Sequence, residues 1–316
     1  MEGITVEIGV DRHTGDSQFL AGPDHSYGDL PPVGDQDFFE RLNDRHGIWL
    51  PDMNAEYLLS ILEGTRFSTI SHVAETGSTN ADLFARASDP TAPQQILVTD
   101  HQNAGRGRQA RTWHDEEKNS VLMSALVRLP IHVACLIPIV MGVAAIDGLE
   151  AAVPELGLAQ PVKLKWPNDL VVPGLGDRKL AGILAEAAPP DRSMMPIVVG
   201  IGMNLAWSQP PPAEIADKAV TLQDLTPAGS PVVDRWDVVQ RIVTAFDQRL
   251  SQTEANPANI LDEYRKRCVT IGRTIRLETP SGDITGRATG VEDSGALLVK
   301  TESGVEIVTA GDAHHI

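Results

Sequence analysis

The chain has few thiols and few cations. Only Cys135 and Cys268 occur among its 316 residues, far apart and outside any CxxC pair. A disulfide framework is excluded, and a reduced, cytoplasmic protein is the simplest expectation. Burial is the common fate of such isolated thiols, so neither is taken as a nucleophile. Lys and Arg total 26 against 43 Asp and Glu, a formal net charge of −17. Affinity for a phosphate backbone needs clustered cations, so this balance argues against nucleic acid as the main partner. No apolar run approaches the ~20 residues needed to span a bilayer, and no basic-then-apolar signal segment opens the chain. The patterns GxxxxGK[ST], HExxH, GxSxG and the EF-hand loop are also missing, which sets aside P-loop, zincin, serine-hydrolase and calcium-loop chemistry.

What remains is enough for a sizeable core, with 42% hydrophobic and 22% charged residues. Residues 1–50 are rich in Asp, Gly and Pro and lack regular apolar spacing, so they are expected to form a flexible acidic leader without a helix-turn-helix. Residues 51–268 read as one large domain. Its expected elements are helices near 55–64, 80–87, 132–152, 232–252 and 259–267, and strands near 67–73, 95–99, 119–128, 163–166, 170–172, 179–187 and 197–205. From residue 269 the pattern changes to four short strands punctuated by Ser281-Gly282, Ser294-Gly295 and Ser303-Gly304, a small β-barrel of residues 269–316. The adjacent His314-His315 at the C-terminus is expected to fray.

Three short islands carry polar chemistry. Gly77-Ser78-Thr79-Asn80 offers a helix cap, and a helix start also presents free N–H groups to an anion. Gly105-Arg106-Gly107-Arg108, followed by Arg111 and Trp113, formally matches GxGxxA but opens no apolar-faced helix, so a dinucleotide fold is not indicated. It is either a solvated loop or a flexible clasp whose arginines grip phosphate or carboxylate by forked hydrogen bonds, with Trp113 as a cover. Lys165-Trp166-Pro167-Asn168-Asp169, leading to Lys179, offers either an ordinary turn and a solvated lysine or a metal-binding carboxylate beside a cation for a reacting phosphate. Gly200-Ile201-Gly202-Met203-Asn204 ends an apolar strand with small residues and an amide.

In this order, GSTN, GRGR with its Arg and Trp, KWPND, RKLAGIL and GIGMN resemble the bacterial biotin protein ligases, from residue 67 to the C-terminus. The resemblance implies an α+β fold: a mixed, mostly antiparallel sheet flanked by helices, as in class II synthetases, plus a small C-terminal SH3-like β-barrel. It implies a two-step reaction in which biotin and MgATP give biotinyl-5′-AMP, and a lysine of a biotin carboxyl carrier domain of an acyl-CoA carboxylase then takes the biotinyl group. Carried over, Lys179 and Arg108 are the catalytic candidates. Ser78, Thr79, Asn80, Gln102, Arg106, Gly107, Arg108, Lys179, Gly182 and Gly200 would line the biotin site. Arg108, Arg111, Trp113, Asn168, Asp169 and Asn204 would serve the nucleotide, with Asp169 toward Mg²⁺. Residues 1–66 do not resemble the winged helix of the members that also act as repressors, so a monofunctional ligase without DNA binding is expected, monomeric or weakly dimeric. A lipoate–protein ligase would share fold and adenylate chemistry, but the Lys165–Asp169 and 179–184 segments favour biotin. A binding-only relative would not need Lys179, Arg108 and Asp169 together.

Overall fold

A computed structural model describes Ile4–Glu7 and residues 55–279 and 282–316. The expected leader lies outside the described residues, apart from Ile4–Glu7. That segment forms β1 and pairs antiparallel with β2 (Thr69–Thr76).

Thirteen strands in the described residues form two sheets. The larger runs β1-β2-β3-β4-β8-β7-β6-β5, where β3 is Gln95–Gln102, β4 Ser120–Pro130, β5 Lys163–Lys165, β6 Asp169–Val172, β7 Arg178–Ala187 and β8 Met194–Asn204. Helix α1 (Ala55–Leu62) precedes β2, and only the β2–β3 pair is parallel, because helix α2 (Thr79–Ala87) carries the chain across between them. The smaller sheet has the order β12-β11-β10-β9-β13, all antiparallel, with β9 Thr274–Thr279, β10 Gly282–Val291, β11 Leu297–Lys300, β12 Val305–Val308 and β13 Asp312–His315.

Alternation along β4, β7 and β8 gives the large sheet two different faces. Val121, Ala125, Val127, Ile183, Val199 and Ile201 point into the main core, where they meet the helices Ile137–Leu156 (α4), Arg235–Ala255 (α5) and Pro257–Arg267 (α6). On the other face, α2 lays Leu83 and Ala87 over Leu97, Leu126 and Val198. This helix covers only part of the face. Beyond its first residues the loop between β3 and β4 covers the sheet instead, and the cleft described below opens beneath it.

Three expectations are corrected. The apolar segment 132–152 is two helices, Ile131–Ala134 (α3) and α4, because Pro138 has no N–H for a continuous helix; it sits instead in the first turn of α4. The strand expected at 95–99 runs on to Gln102, since Glu75 and Thr76 extend its pairing with β2. The C-terminal histidines do not fray. They lie in β13, a fifth strand that pairs with β9, and His315 Nδ1 is 2.7 Å from both Asp177 Oδ2 and Arg273 Nη1. Burial holds the His315 pKa below its ordinary value despite the opposing Asp177 hydrogen bond.

A buried triad ties β2 and β3 to the start of α5 on the core face of the sheet. Asp100 Oδ1 lies 2.8 Å from His72 Nε2 and 2.7 Å from Arg235 Nη2, with the Arg235 side chain 5% exposed. Burial alone would raise the Asp100 pKa, but the His72 hydrogen bond and the Arg235 charge outweigh it and hold the group low. A depressed carboxylate pKa contributes stability above its unfolded value, and that contribution is lost as pH falls through the folded value. Asp100→Ala should therefore cost roughly 3–5 kcal/mol by leaving Arg235 buried and unpaired. In denaturant titrations the gap from wild type should be full at pH 7 and shrink below about pH 4.

Candidate active site

The floor of the cleft consists of two cross-strand rows on one face of the sheet. Ser124, Gly200 and Leu184 stand side by side on β4, β8 and β7, and the next row is Leu122, Gly202, Gly182 and Asp169. Glycines are required where other groups press on the strands. A Cβ at Gly200 would lie 2.2 Å from Asn80 Oδ1, and one at Gly202 would lie 2.5 Å from Trp113 Cε2. The helix start and the arginine loop thus rest directly on strand backbone.

The first turn of α2 supplies Ser78, Thr79 and Asn80, all buried. Ser78 occupies the cap position, yet its side chain makes no capping bond. Gln102 of β3 caps instead: its Oε1 accepts from the Thr79 backbone N–H at 2.9 Å. The expected cap is therefore correct in place but made by another residue, and the Ser78 side chain lines the cavity. Asn80 lines it too, although its amide is committed to Leu184 O, Glu186 and Ser124.

The loop between β3 and β4 folds back over this floor. Its base is closed by the Trp113 N–H donating to Gly105 O, and by buried Asp115 lying 2.8 Å from His101 Nδ1. Burial pushes the Asp115 carboxyl pKa up, against the opposing His101 hydrogen bond. Three arginines then reach three different elements. Arg106 Nη2 is 3.0 Å from Glu186 on β7; Arg108 Nη1 is 3.3 Å from both Asn168 Oδ1 and Gly311 O; and Arg111 pairs with Asp312 at the start of β13. Asp312 and Gly311 bring the C-terminal sheet to the rim.

Lys179 and Asp169 meet at 2.7 Å where two cavities join, and the Lys179 ammonium stands 5.6 Å from the centre of the Trp113 ring. The inner cavity, about 160 Å³, is lined by every sequence candidate except Asn204. The wider outer cavity, about 780 Å³, shares Arg111, Trp113, Asp169 and Lys179 with it, and Asn204 lines this one. The Asn204 side chain donates to Val220 O, which ties β8 to the outer wall. Among the described residues no cluster of three or more His, Cys, Asp or Glu could hold a metal by itself. Asp169 is one carboxylate, a donor set fitted to an ion that arrives already bound to phosphates.

Four residues of the site were not among the candidates that the sequence offered. Gly202 was readable, since it lies two residues from Gly200 and so on the same strand face. Ser124 is the single polar residue in the run Val121–Val127, a signal in itself. Glu186 and Asp312 carry no local signal, because their partners are brought by other elements.

A glycine-floored cleft with an apolar and amide-lined inner end, three arginines above it and a Lys–Asp pair at its middle can hold two anionic groups side by side, as an acid-activating ligase requires. Comparison with known proteins narrows this. Residues 74–204 match the biotin/lipoate A/B protein ligase family, and residues 270–315 the biotin protein ligase C-terminal domain. The biotin–[acetyl-CoA-carboxylase] ligase of Mycobacterium tuberculosis is 36% identical over 80% of this chain and 91% of its own. The bifunctional ligase/repressor BirA of Bacillus subtilis is 30% identical over 74% of this chain and 70% of its own. In fold, the chain is similar to the Aquifex aeolicus biotin protein ligase in complex with biotin and ATP, with a TM-score of 0.63 at 24% identity, covering 78% of this chain and 99% of that one. The chain belongs to the biotin protein ligase family.

Gly200→Ala tests the floor. The added methyl displaces Asn80 and with it the Ser124 contact, so biotin affinity should fall by about two orders of magnitude while the sheet stays folded. Calorimetric titration with biotin, beside a thermal melt, checks this; unchanged affinity would mean that the inner cavity is not where the acid binds.

Proposed function

We propose that this chain activates biotin with ATP in the cleft and passes it to a lysine of a biotin carboxyl carrier domain of acetyl-CoA carboxylase, as a cytoplasmic, monofunctional ligase. The observation that carries the reading is the Lys179–Asp169 pair at the junction of a small inner cavity and a larger outer one. A bicyclic acid fits the inner end and a nucleotide the outer.

The geometry addresses an electrostatic problem. Carboxylate and triphosphate repel each other, so their contact needs cations placed beforehand. Lys179 stands at the meeting point, and Arg108 and Arg111 line the adjoining wall. A carboxylate oxygen of biotin attacks the α-phosphorus and diphosphate leaves, giving biotinyl-5′-AMP. The neutral ε-amine of the carrier lysine then attacks the acyl carbon; the amide forms, AMP departs with the anhydride oxygen, and the amine proton is lost. Asp169 would hold the Mg²⁺ that comes with the triphosphate, and the ion would supply positive charge against the phosphates. The arginine loop keeps water from the anhydride between the two steps.

Biotin-dependent exchange of labelled diphosphate into ATP is the direct test. No exchange by the full chain with biotin, ATP and magnesium would end this reading. Labelled biotin against lipoate, offered with an apo-carrier domain and a lipoyl domain, separates the two branches of the matched family. The acidic balance supports action without DNA, and a specific gel shift of a biotin-operon operator fragment would refute that part.

A further inference from the structure

Outside the cleft, the exposed face of the small sheet carries an unbalanced row of charge. Arg287 on β10 and Lys300 on β11 stand directly opposite each other, and the row continues to Thr274 of β9 on one side and Val305 of β12 on the other. All four residues are exposed. Like charges in directly opposed positions repel. The carboxylates of this face are engaged elsewhere, Glu278 and Asp283 beside Arg276 and Asp312 beside Arg111, so among the described residues Arg287 and Lys300 have no carboxylate partner. Val305 is 61% exposed and Ile307, two residues on and therefore on the same face, 57%. Neither serves the core of the small domain, which Leu297, Val299 and Val308 fill from the opposite face. β12 is an edge strand, so no further strand of the sheet lies beside them.

We infer that this face is where the carrier domain docks, through an acidic surface flanked by apolar side chains. Carboxylates of the carrier relieve the repulsion between Arg287 and Lys300, and its apolar groups cover Val305 and Ile307. The inference rests on the proposed function, in which a protein stands at the mouth of the cleft while its lysine reaches the adenylate. The row is placed for this. Glu278 pairs with Asp312 at the cleft rim, and Thr274 lies four residues before Glu278 on the same strand face, about 13 Å at the rise of a strand. Charge selects the occupant. The chain has a formal net charge of −17, so an acidic partner is repelled by the molecule as a whole and drawn to two neighbouring cations that lack partners. Nucleic acid is not favoured here, because a phosphate backbone needs a larger cluster of cations.

The test separates the two half-reactions. Transfer to a purified apo-carrier domain is followed against carrier concentration, and diphosphate exchange is measured without carrier. Arg287→Glu with Lys300→Glu should raise the carrier KM roughly tenfold, leave kcat at saturating carrier unchanged and flatten the salt dependence of kcat/KM. Val305→Ser with Ile307→Ser should raise the same KM about threefold but keep the salt dependence. Biotin-dependent exchange should stay within about twofold of wild type in both, since the carrier takes no part in it. Arg287→Glu alone replaces a like-charged pair by an opposite one, so its melting temperature should hold or rise while its carrier KM rises; a merely structural defect would lower the melting temperature and slow exchange as well. A double reversal whose carrier KM lies within about twofold of wild type, or whose salt dependence is unchanged, overturns the inference. So does sedimentation in which the wild type self-associates and the Val305→Ser, Ile307→Ser variant does not, which would give the face to a second copy of the chain. Absence of biotin-dependent exchange in the wild type would instead overturn the proposed function.

Discussion

Lys179→Met should slow biotin-dependent diphosphate exchange by about a hundred- to a thousandfold, the scale seen when one preorganised group facing developing charge is removed. Methionine keeps the unbranched stem that runs over Gly182 toward Trp113, so the change removes charge and little else. Biotin binding in the absence of ATP should stay within about tenfold, because the inner cavity keeps its floor. The substitution also strips Asp169 of its partner at 2.7 Å and leaves a carboxylate facing the triphosphate. That repulsion should raise the ATP KM on its own account. Pairing Lys179→Met with Asp169→Asn distinguishes the two effects: the double variant should recover ATP affinity but not the exchange rate. If it recovered the rate as well, Lys179 would serve only to mask Asp169, and the cation assigned to the reacting phosphate would have to be another. A Lys179→Met enzyme within fivefold of wild type would exclude the residue from the chemistry.

How far residues alone foretold this cleft depends on how local each contact is. GSTN, GRGR, KWPND and GIGMN mark short turns and strand ends whose chemistry is visible in a few neighbouring residues. The structure brings these four segments around one cleft, although nothing in the motifs says that they meet. The roles within the motifs were less legible. Ser78 looked like a cap and Gln102 like a ligand contact, yet the cap bond belongs to Gln102, because the β2–β3 pairing runs on as far as Thr76 and Gln102 and places that amide over the helix start. Asn80 was expected to line the site, and its amide is also engaged by Leu184 O, Glu186 and Ser124. Glu186 and Asp312 were invisible, since their partners are distant along the chain: Arg106 and Asn80 for Glu186, Arg111 for Asp312. In the small domain four strands followed from Ser-Gly turns. The fifth was lost because Asp312–His315 has no apolar alternation and owes its place to β9 and to the Asp177–Arg273–His315 cluster.

Arg108→Gly should convert a closed reaction into a leaky one. The arginine loop is tied down at three points, by Arg106 to β7, by Arg108 to the Asn168 turn and the Gly311 carbonyl, and by Arg111 to Asp312. Arg108 is the middle tie and spans both domains over the point where the mixed anhydride would lie. Removing it discards two hydrogen bonds from a charged group and frees the backbone of a loop that already contains Gly105 and Gly107. Lys179 and the glycine floor remain, so adenylate formation should persist within about tenfold. Losing about 1.5–3 kcal/mol of lid closure corresponds to roughly ten- to a hundredfold faster release of biotinyl-5′-AMP. Free in solution, the anhydride acylates any exposed lysine or hydrolyses. Two readouts follow: biotinyl-5′-AMP should accumulate in the medium when no acceptor is supplied, and a bystander protein without a carrier domain should become biotinylated in proportion to its surface lysines. The leak should also lower the efficiency of carrier modification per ATP consumed, which a coupled count of AMP against biotinylated carrier would register. If the variant modified its carrier with unchanged stoichiometry and released no adenylate, closure would reside in Arg106 and Arg111 alone. The Asp312 side of the lid would then be the place to break it.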